Sequence, residues 1–283
     1  MTRLVKLPQV QNMGTGSSAT RATVRLPLGR TYNRIVLFCA GNITRALLSN
    51  IVLKVNSAEK QRWKTSAQLQ SRNSYNVGAS DTNILELDFV ERWAKDEAAM
   101  TLGTYALTAE AGVQDAVLEF DVATYTPSAA SVITAFAEVD VPSANRMIVR
   151  TRYQQKTLAG AVEEAIIIPS GLNGEQLKRL HIFGTTTLVD SVRIRRDDSD
   201  EFEALSVLQN EYIQKTYGKV PQTGHIVIDF IPHNLQGHML NTAMIMGPGG
   251  KAQPVQNLDI RMAVNAAGTF DIYTETLTLN DRP

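Results

Sequence analysis

The chain has 283 residues and a mass of 31.1 kDa, the length of one large domain or two of ordinary size. Hydrophobic residues make up 43% and charged residues 20%, which excludes a disordered chain and leaves ample material for a core. Its 28 Lys and Arg against 28 Asp and Glu exclude the dense basic face of a sequence-independent nucleic-acid binder, and its single cysteine, Cys39, excludes an intrachain disulfide and a cysteine-based metal site.

The N-terminal run MTRLVKLPQVQNMGTG carries two basic residues but no apolar signal core, and no window approaches 18 consecutive apolar residues. Folding in the cytoplasm of the producing cell is therefore expected. Short strands follow: Thr23–Pro27 (TVRLP), Arg34–Ala40 (RIVLFCA), Ile51–Asn56 (IVLKVN), Ile84–Val90 (ILELDFV), Thr104–Ala109 (TYALTA) and Ala116–Val122 (AVLEFDV). The last alternates at period two, with Leu118, Phe120 and Val122 on one face and Glu119 and Asp121 on the other. Weaker helical patterns run over about Glu59–Arg72 and Val90–Met100.

The strongest helical pattern covers Asp198–Thr216. Phe202, Leu205, Leu208, Tyr212 and Ile213 trace one apolar stripe, opposite Glu203, Asn210, Glu211, Gln214 and Lys215. Asp198 and Glu201 suggest a capping box, and Gly218 a helix stop. On this reading the stripe packs on a sandwich, and Leu208→Ala costs about 2–5 kcal/mol.

The halves of the chain repeat at an offset of about 142. Val24–Pro27 matches Ile166–Pro169, Ile35–Phe38 matches Leu180–Phe183, and Asn50–Asn56 matches Asp190–Arg196. Asp88-Phe89 falls on Asp229-Phe230, and Leu118, Phe120 and Val122 fall on Ile260, Met262 and Val264. Ordered matches, with a helix before the fourth in each half, indicate a duplicated unit of about 140 residues. The expected architecture is all-β: two tandem eight-stranded jelly rolls, residues 1–123 and 124–283, with a helix in each. The strands do not alternate regularly with helices, which disfavours a parallel α/β fold.

No motif carries catalysis. His181, His225, His233 and His238 lack zinc-site spacing, and His181 reads as a partly buried strand residue. Asp197, Asp198 and Asp200 offer oxygen ligands for calcium, but helix capping explains them better and no twelve-residue calcium loop is present. Gly247-Pro248-Gly249-Gly250 lacks the Lys-Ser/Thr of a phosphate loop and reads as a turn. Cys39 sits in an apolar strand as an inert thiol. Arg193, Arg195 and Arg196 form one basic edge, a solvated or subunit-contact face by default. Trp63 and Trp93 read as packing residues. No catalytic or cofactor-binding residue is assigned, so the chain binds or builds.

Thr23–Leu37 (TVRLPLGRTYNRIVL) resembles the first strands of the major capsid proteins of corticoviruses, tailless membrane-containing phages. Met100–Thr108 (MTLGTYALT) with Ala116–Ala123 (AVLEFDVA) is similar to the end of their first jelly roll. Glu211–Lys219 (EYIQKTYGK) with His225–Phe230 (HIVIDF) is similar to the helix and next strand of their second. The resemblance spans about Arg3 to Phe230. It implies a double jelly-roll coat protein without enzymatic activity or organic cofactor, calcium being associated with such capsids. It further implies homotrimers that imitate six-fold symmetry, tile an icosahedral shell over an internal membrane, and meet neighbouring trimers, penton and minor membrane-associated capsid proteins. Trimer contacts are expected through loops and strand edges, head to tail, with contact to the internal lipid membrane and none to nucleic acid. The implied location is the virion, after synthesis in the host bacterial cytoplasm. The competing reading is a tandem β-sandwich for glycan binding or adhesion, which would usually carry a signal peptide and exposed aromatic platforms. A jelly-roll enzyme of the cupin kind would need clustered His and carboxylate ligands.

Overall fold

A computed structural model of the chain describes residues 3–76, 78, 80–197, 199–246 and 251–280. The chain folds as two units, Met1–Arg152 with Thr278–Pro283, and Tyr153–Leu277. The first contains β1 (Arg3–Lys6), β2 (Thr20–Arg25), β3 (Arg30–Ala40), β4 (Leu48–Val55) and β5 (Ala58–Thr65). Helix α1 (Ser66–Tyr75), β6 (Ile84–Asp88), the short α2 (Glu97–Met100), β7 (Tyr105–Leu107), β8 (Ala116–Val122) and β9 (Val132–Asp140) follow. The strands form two sheets, ordered β1-β9-β3-β6, with β7 also on β3, and β2-β8-β4-β5.

The strand β10 (Met147–Leu158) leads into the second unit, which continues with β11 (Val162–Ala165), β12 (Gln176–Gly184), β13 (Val189–Arg196) and β14 (Ser199–Ser206). Then come α3 (Val207–Thr216), β15 (His225–Asp229), β16 (Leu240–Asn241), β17 (Met244–Met246), β18 (Ala252–Pro254), β19 (Leu258–Val264) and β20 (Gly268–Leu279). The sheets are β10-β20-β12-β15, with β16 on β12, and β11-β19-β13-β14, beside a β17-β18 ribbon. Strand for strand, this is the order of the first unit. In each unit the two four-strand paths make an eight-stranded jelly roll, to which β7 or β16 adds a short further strand.

The repeat holds at the level of single residues. Leu53 pairs with Leu118 as Ile194 pairs with Ile260, and Leu48 pairs with Val122 as Val189 pairs with Val264. Arg34 pairs with Asp88 and with Glu138; Arg179 pairs with Asp229 and with Glu275. One match needs a correction. The pairings set Leu53 on Ile194 and so Asn50 on Ser191, one residue from the sequence match to Asp190. Register irregularities lie at Ser49/Val52 and Val189/Ser191, and Asn50 has φ of 45°. In a strand a one-residue slip exchanges the two faces, and the structural register is the one that places Leu48, Ile51 and Leu53 with Val189, Val192 and Ile194 in the interior. Alternating apolar positions from both sheets make the second core, including Leu180, Ile182, Ile194, Ile228, Ile260 and Ile272.

The sequence boundary after Ala123 falls too early for the unit division. The strand β9 pairs with β1 and β3 and completes the first jelly roll. The chain therefore leaves that unit only after Asp140.

The helix expected over Asp198–Thr216 is also corrected. Ser199–Ser206 is β14, paired with β13, and the helix begins at Val207. Along this pair Val192 meets Leu205 while Ile194 meets Phe202. Three residues on β14 thus oppose two on β13, a bulge that gives a strand the spacing of a helix. The weaker helix expected over about Glu59–Arg72 is likewise part strand: its first half is β5, and α1 begins only at Ser66. Both helices start at the equivalent hydroxyl cap: Thr65 accepts from Gln68 N, and Ser206 accepts from Gln209 N. Gly218, at φ 76°, ends α3 as expected, with its N–H bonded to Lys215 O.

What α3 buries is the reverse of the expected stripe. Asn210 and Gln214 are buried, whereas Leu208 and Tyr212 are 74% and 70% exposed. The reason lies in the sheet edge. Strands β6 and β15 end their sheets, and an edge carbonyl facing away from its neighbour needs a donor. In the first unit Asn73 Nδ2 donates to Glu86 O at 2.9 Å. In the second, Asn210 Nδ2 donates to the equivalent Val227 O at 2.7 Å, and Gln214 Nε2 donates to it as well. Each helix closes an edge with amide side chains; the inner face of α3 is polar, and that of α1 mixes Gln70, Arg72 and Asn73 with Leu69 and Tyr75.

Two substitutions separate these readings. Leu208→Ala should change unfolding free energy by no more than about 0.5 kcal/mol. Ile194→Ala, in the second core, should cost about 2–5 kcal/mol. Urea denaturation of both variants checks this.

Candidate functional site

The acidic run makes a hairpin. Asp197, at φ 47°, follows β13 at the place that Asn56, at φ 51°, takes after β4. Asn56 Oδ1 accepts from the backbone N–H of Gln114 and Asp115, and Asp197 Oδ1 accepts from that of Gln256 and Asn257. The same anchor therefore recurs, and Asp197 serves the turn, not a helix cap. Asp200 lies 3.0 Å from Arg195; Asp198 lies outside the described residues. Among the described residues, no group of three or more His, Cys, Asp and Glu is placed to hold a metal ion.

The expected basic edge is neutralised. Arg193 pairs with Glu163 and Asp259, Arg195 with Asp200, and Arg196 with Glu201 at 2.6 Å. Cross-strand acids turn it into a mosaic of both signs. Cys39 is buried, and burial pushes its thiol up to about 12, so the nucleophilic thiolate is disfavoured. Trp63 is buried as expected of a packing residue, whereas Trp93 is exposed. His233 and His238 stand 2.6 Å apart on the surface. The Gly247–Gly250 run lies outside the described residues.

The outer faces of the β1-β9-β3-β6 and β10-β20-β12-β15 sheets are the most informative surfaces. On the second, Arg179 Nε lies 3.2 Å from Asp229 and Nη1 3.7 Å from Glu275. Lys178 Nζ is 3.6 Å from Glu275, His181 Nε2 is 3.2 Å from it, and His181 Nδ1 is 3.0 Å from His225 Nε2. Phe183 stacks on His225 and meets Tyr273 edge-on. This whole group is buried, His181 completely rather than partly. Burial, and then the charge of His181, hold His225 well below its ordinary value near 6.5.

The first unit repeats the design in the open. Arg34 lies 3.2 Å from Glu86 and 2.5 Å from Glu138, and Arg92 pairs with Asp88. Phe38 meets Phe136 edge-on at 5.4 Å and 89°, as Phe183 meets Tyr273 at 5.7 Å and 83°. Here Arg34 and Glu138 side chains keep 25% and 31% of their exposure, and Phe38, Leu4 and Val132 are exposed. Sequence reasoning missed this surface. Its signal was present in RIVLFCA, where both faces of one strand are apolar: Ile35, Leu37 and Cys39 inward, Val36 and Phe38 outward.

Comparison with known proteins assigns the architecture. The viral coat protein P2 N-terminal domain model matches residues 4–140, and the viral coat protein P2 C-terminal domain model matches residues 148–280. The chain belongs to the viral coat protein P2 family. The major capsid protein P2 of Pseudoalteromonas phage PM2 is 23% identical over 253 residues, 87% of each chain. The crystal structure of the major capsid protein P2 from bacteriophage PM2 superposes with a TM-score of 0.83 at 19% identity, covering 99% of this chain and 98% of that one. The STIV MCP gives 0.64 at 11% identity over 99% and 97%, and the PBCV-1 virus capsid 0.58 at 10% over 98% and 93%. This coat protein is a structural major capsid protein of corticovirus type with the double jelly-roll fold.

Two outcomes follow for the coat protein's charged faces. Arg179→Met removes a buried cation that faces both Asp229 and Glu275 and should cost about 3–5 kcal/mol. The equivalent Arg34→Met, at a side chain a quarter exposed to water, should cost no more than about 1 kcal/mol in the isolated chain. Thermal melts distinguish them.

The second outcome concerns pH. As pH falls below about 6.5, an unfolded His225 takes up a proton that the folded protein refuses, so the unfolded state binds more protons and stability drops. His225→Ile, which installs the residue found at the equivalent Ile84, should flatten the urea midpoint between about pH 7 and 5.

Proposed function

We propose that this coat protein acts as a homotrimer whose copies tile an icosahedral shell over an internal membrane. The single observation that carries the reading is the duplication, repeated in strand order and residue register. A chain with two like units supplies six like sandwiches in a trimer, so three-fold copies imitate a six-fold tile. The formal net charge of zero removes long-range repulsion between copies, and many modest contacts then add across a closed shell.

The role is structural, with no catalytic step and no cofactor. Neighbouring trimers, penton and minor membrane-associated capsid proteins are its partners, in a virion whose subunits are made in the host bacterial cytoplasm. Among the described residues no helix is long and apolar enough to cross a membrane. Direct contact with the genome is minor, in keeping with arginines already paired to acids. A glycan-binding module is disfavoured by the match of both halves of the chain to coat-protein domains.

Light scattering of the purified protein should give about three times 31.1 kDa. Duplex DNA at physiological salt should not be retained. A strictly monomeric protein, or tight DNA binding, would overturn the reading.

A further inference from the structure

We infer that the outer face of the β1-β9-β3-β6 sheet is covered, in the assembled coat, by a second copy of this chain. The inference rests on the trimer reading and names the surface through which copies meet. It differs from the loop and strand-edge contacts expected from sequence.

The two outer faces are copies of one design. Strand pairing sets Arg34, Val36 and Phe38 on Arg179, His181 and Phe183, and sets Phe136 and Glu138 on Tyr273 and Glu275. The arginine-to-glutamate contact and the edge-on aromatic pair are present in both. In the second unit Arg179, His181 and Tyr273 are 0% exposed. In the first, Phe38 is 37%, Val132 44% and Leu4 63% exposed. The pairing of Leu4 with Glu138 puts Leu4 on this same face. The face thus gathers two aromatic rings, a paired arginine and aliphatic side chains, the composition of an interface centre.

Its charges are prepared for burial. Arg34 faces Glu86 and Glu138, and Arg92 faces Glu86 and Asp88. A charge that already has its partner costs less to remove from water than a lone one. The second unit shows that this constellation tolerates complete exclusion of solvent. A chain that builds a shell from itself offers another copy as the occupant, and the balanced signs suit a neighbour of zero net charge.

The test uses the full-length protein. Phe38→Asp and Arg34→Glu should each raise the dissociation constant of the trimer about tenfold or more, read by analytical ultracentrifugation. Circular dichroism and melting should show a folded monomer. A measurement on the parent protein needs no substitution: hydroxyl-radical footprinting should modify Leu4, Phe38 and Phe136 more slowly in assembled protein than in diluted, dissociated protein. If the parent is trimeric but both variants assemble as it does, or those residues stay fully reactive, this assignment of the surface is wrong and the trimer reading survives. If the parent is a monomer at all concentrations, both fall.

Discussion

A β-sheet that buries one face against a partner sheet is left with a second face and two edges. Backbone polar groups at an edge need partners, and apolar side chains on the second face need cover. In each unit the inner faces close on one another through alternating apolar residues, such as Leu118, Phe120 and Val122 or Ile260, Met262 and Val264. One edge is closed by a helix carrying amides: Asn73 in the first unit, Asn210 and Gln214 in the second. The remaining face is where the units part. Around Arg179 it is dry, and around Arg34 it is open.

Duplication explains why unlike sequences keep like contacts. Asn56 and Asp197 anchor equivalent hairpins, and Thr65 and Ser206 cap equivalent helices. These positions conserve a hydrogen-bonding role while residue identity changes. The paired charges do the same: Arg34 with Glu138, Arg179 with Glu275. Divergence is concentrated in what surrounds them. Val36 and Ile84 stand where the second unit has His181 and His225, so at these equivalent positions only the second unit has a buried imidazole pair.

Much of the fold was legible because period-two alternation and its recurrence are properties of the chain itself. The strands, the all-β class, the repeat and the stop at Gly218 belong to this group. The helix start was misread because the bulge in β14 spaced Phe202 and Leu205 three apart, as a helical turn would. The division after Ala123 was misread because β9 belongs to the first jelly roll through pairing with β3, a partner about a hundred residues away. The acidic run was read as a cap or ion site because Asp197 finds its donors at Gln256 and Asn257, which are remote in sequence.

By itself, the sequence determined alternation, turn chemistry, neutral charge and duplication, since each is written in the spacing of nearby residues. Only the tertiary structure decided which residues are covered. Leu208 and Tyr212 look like core yet face water, while Arg179 and Glu275 are charged yet dry, and His181, expected to be partly buried, is wholly so. Burial depends on what packs from elsewhere in the chain, and a strand's outward residues carry no mark of whether their cover comes from a helix, another sheet or another copy.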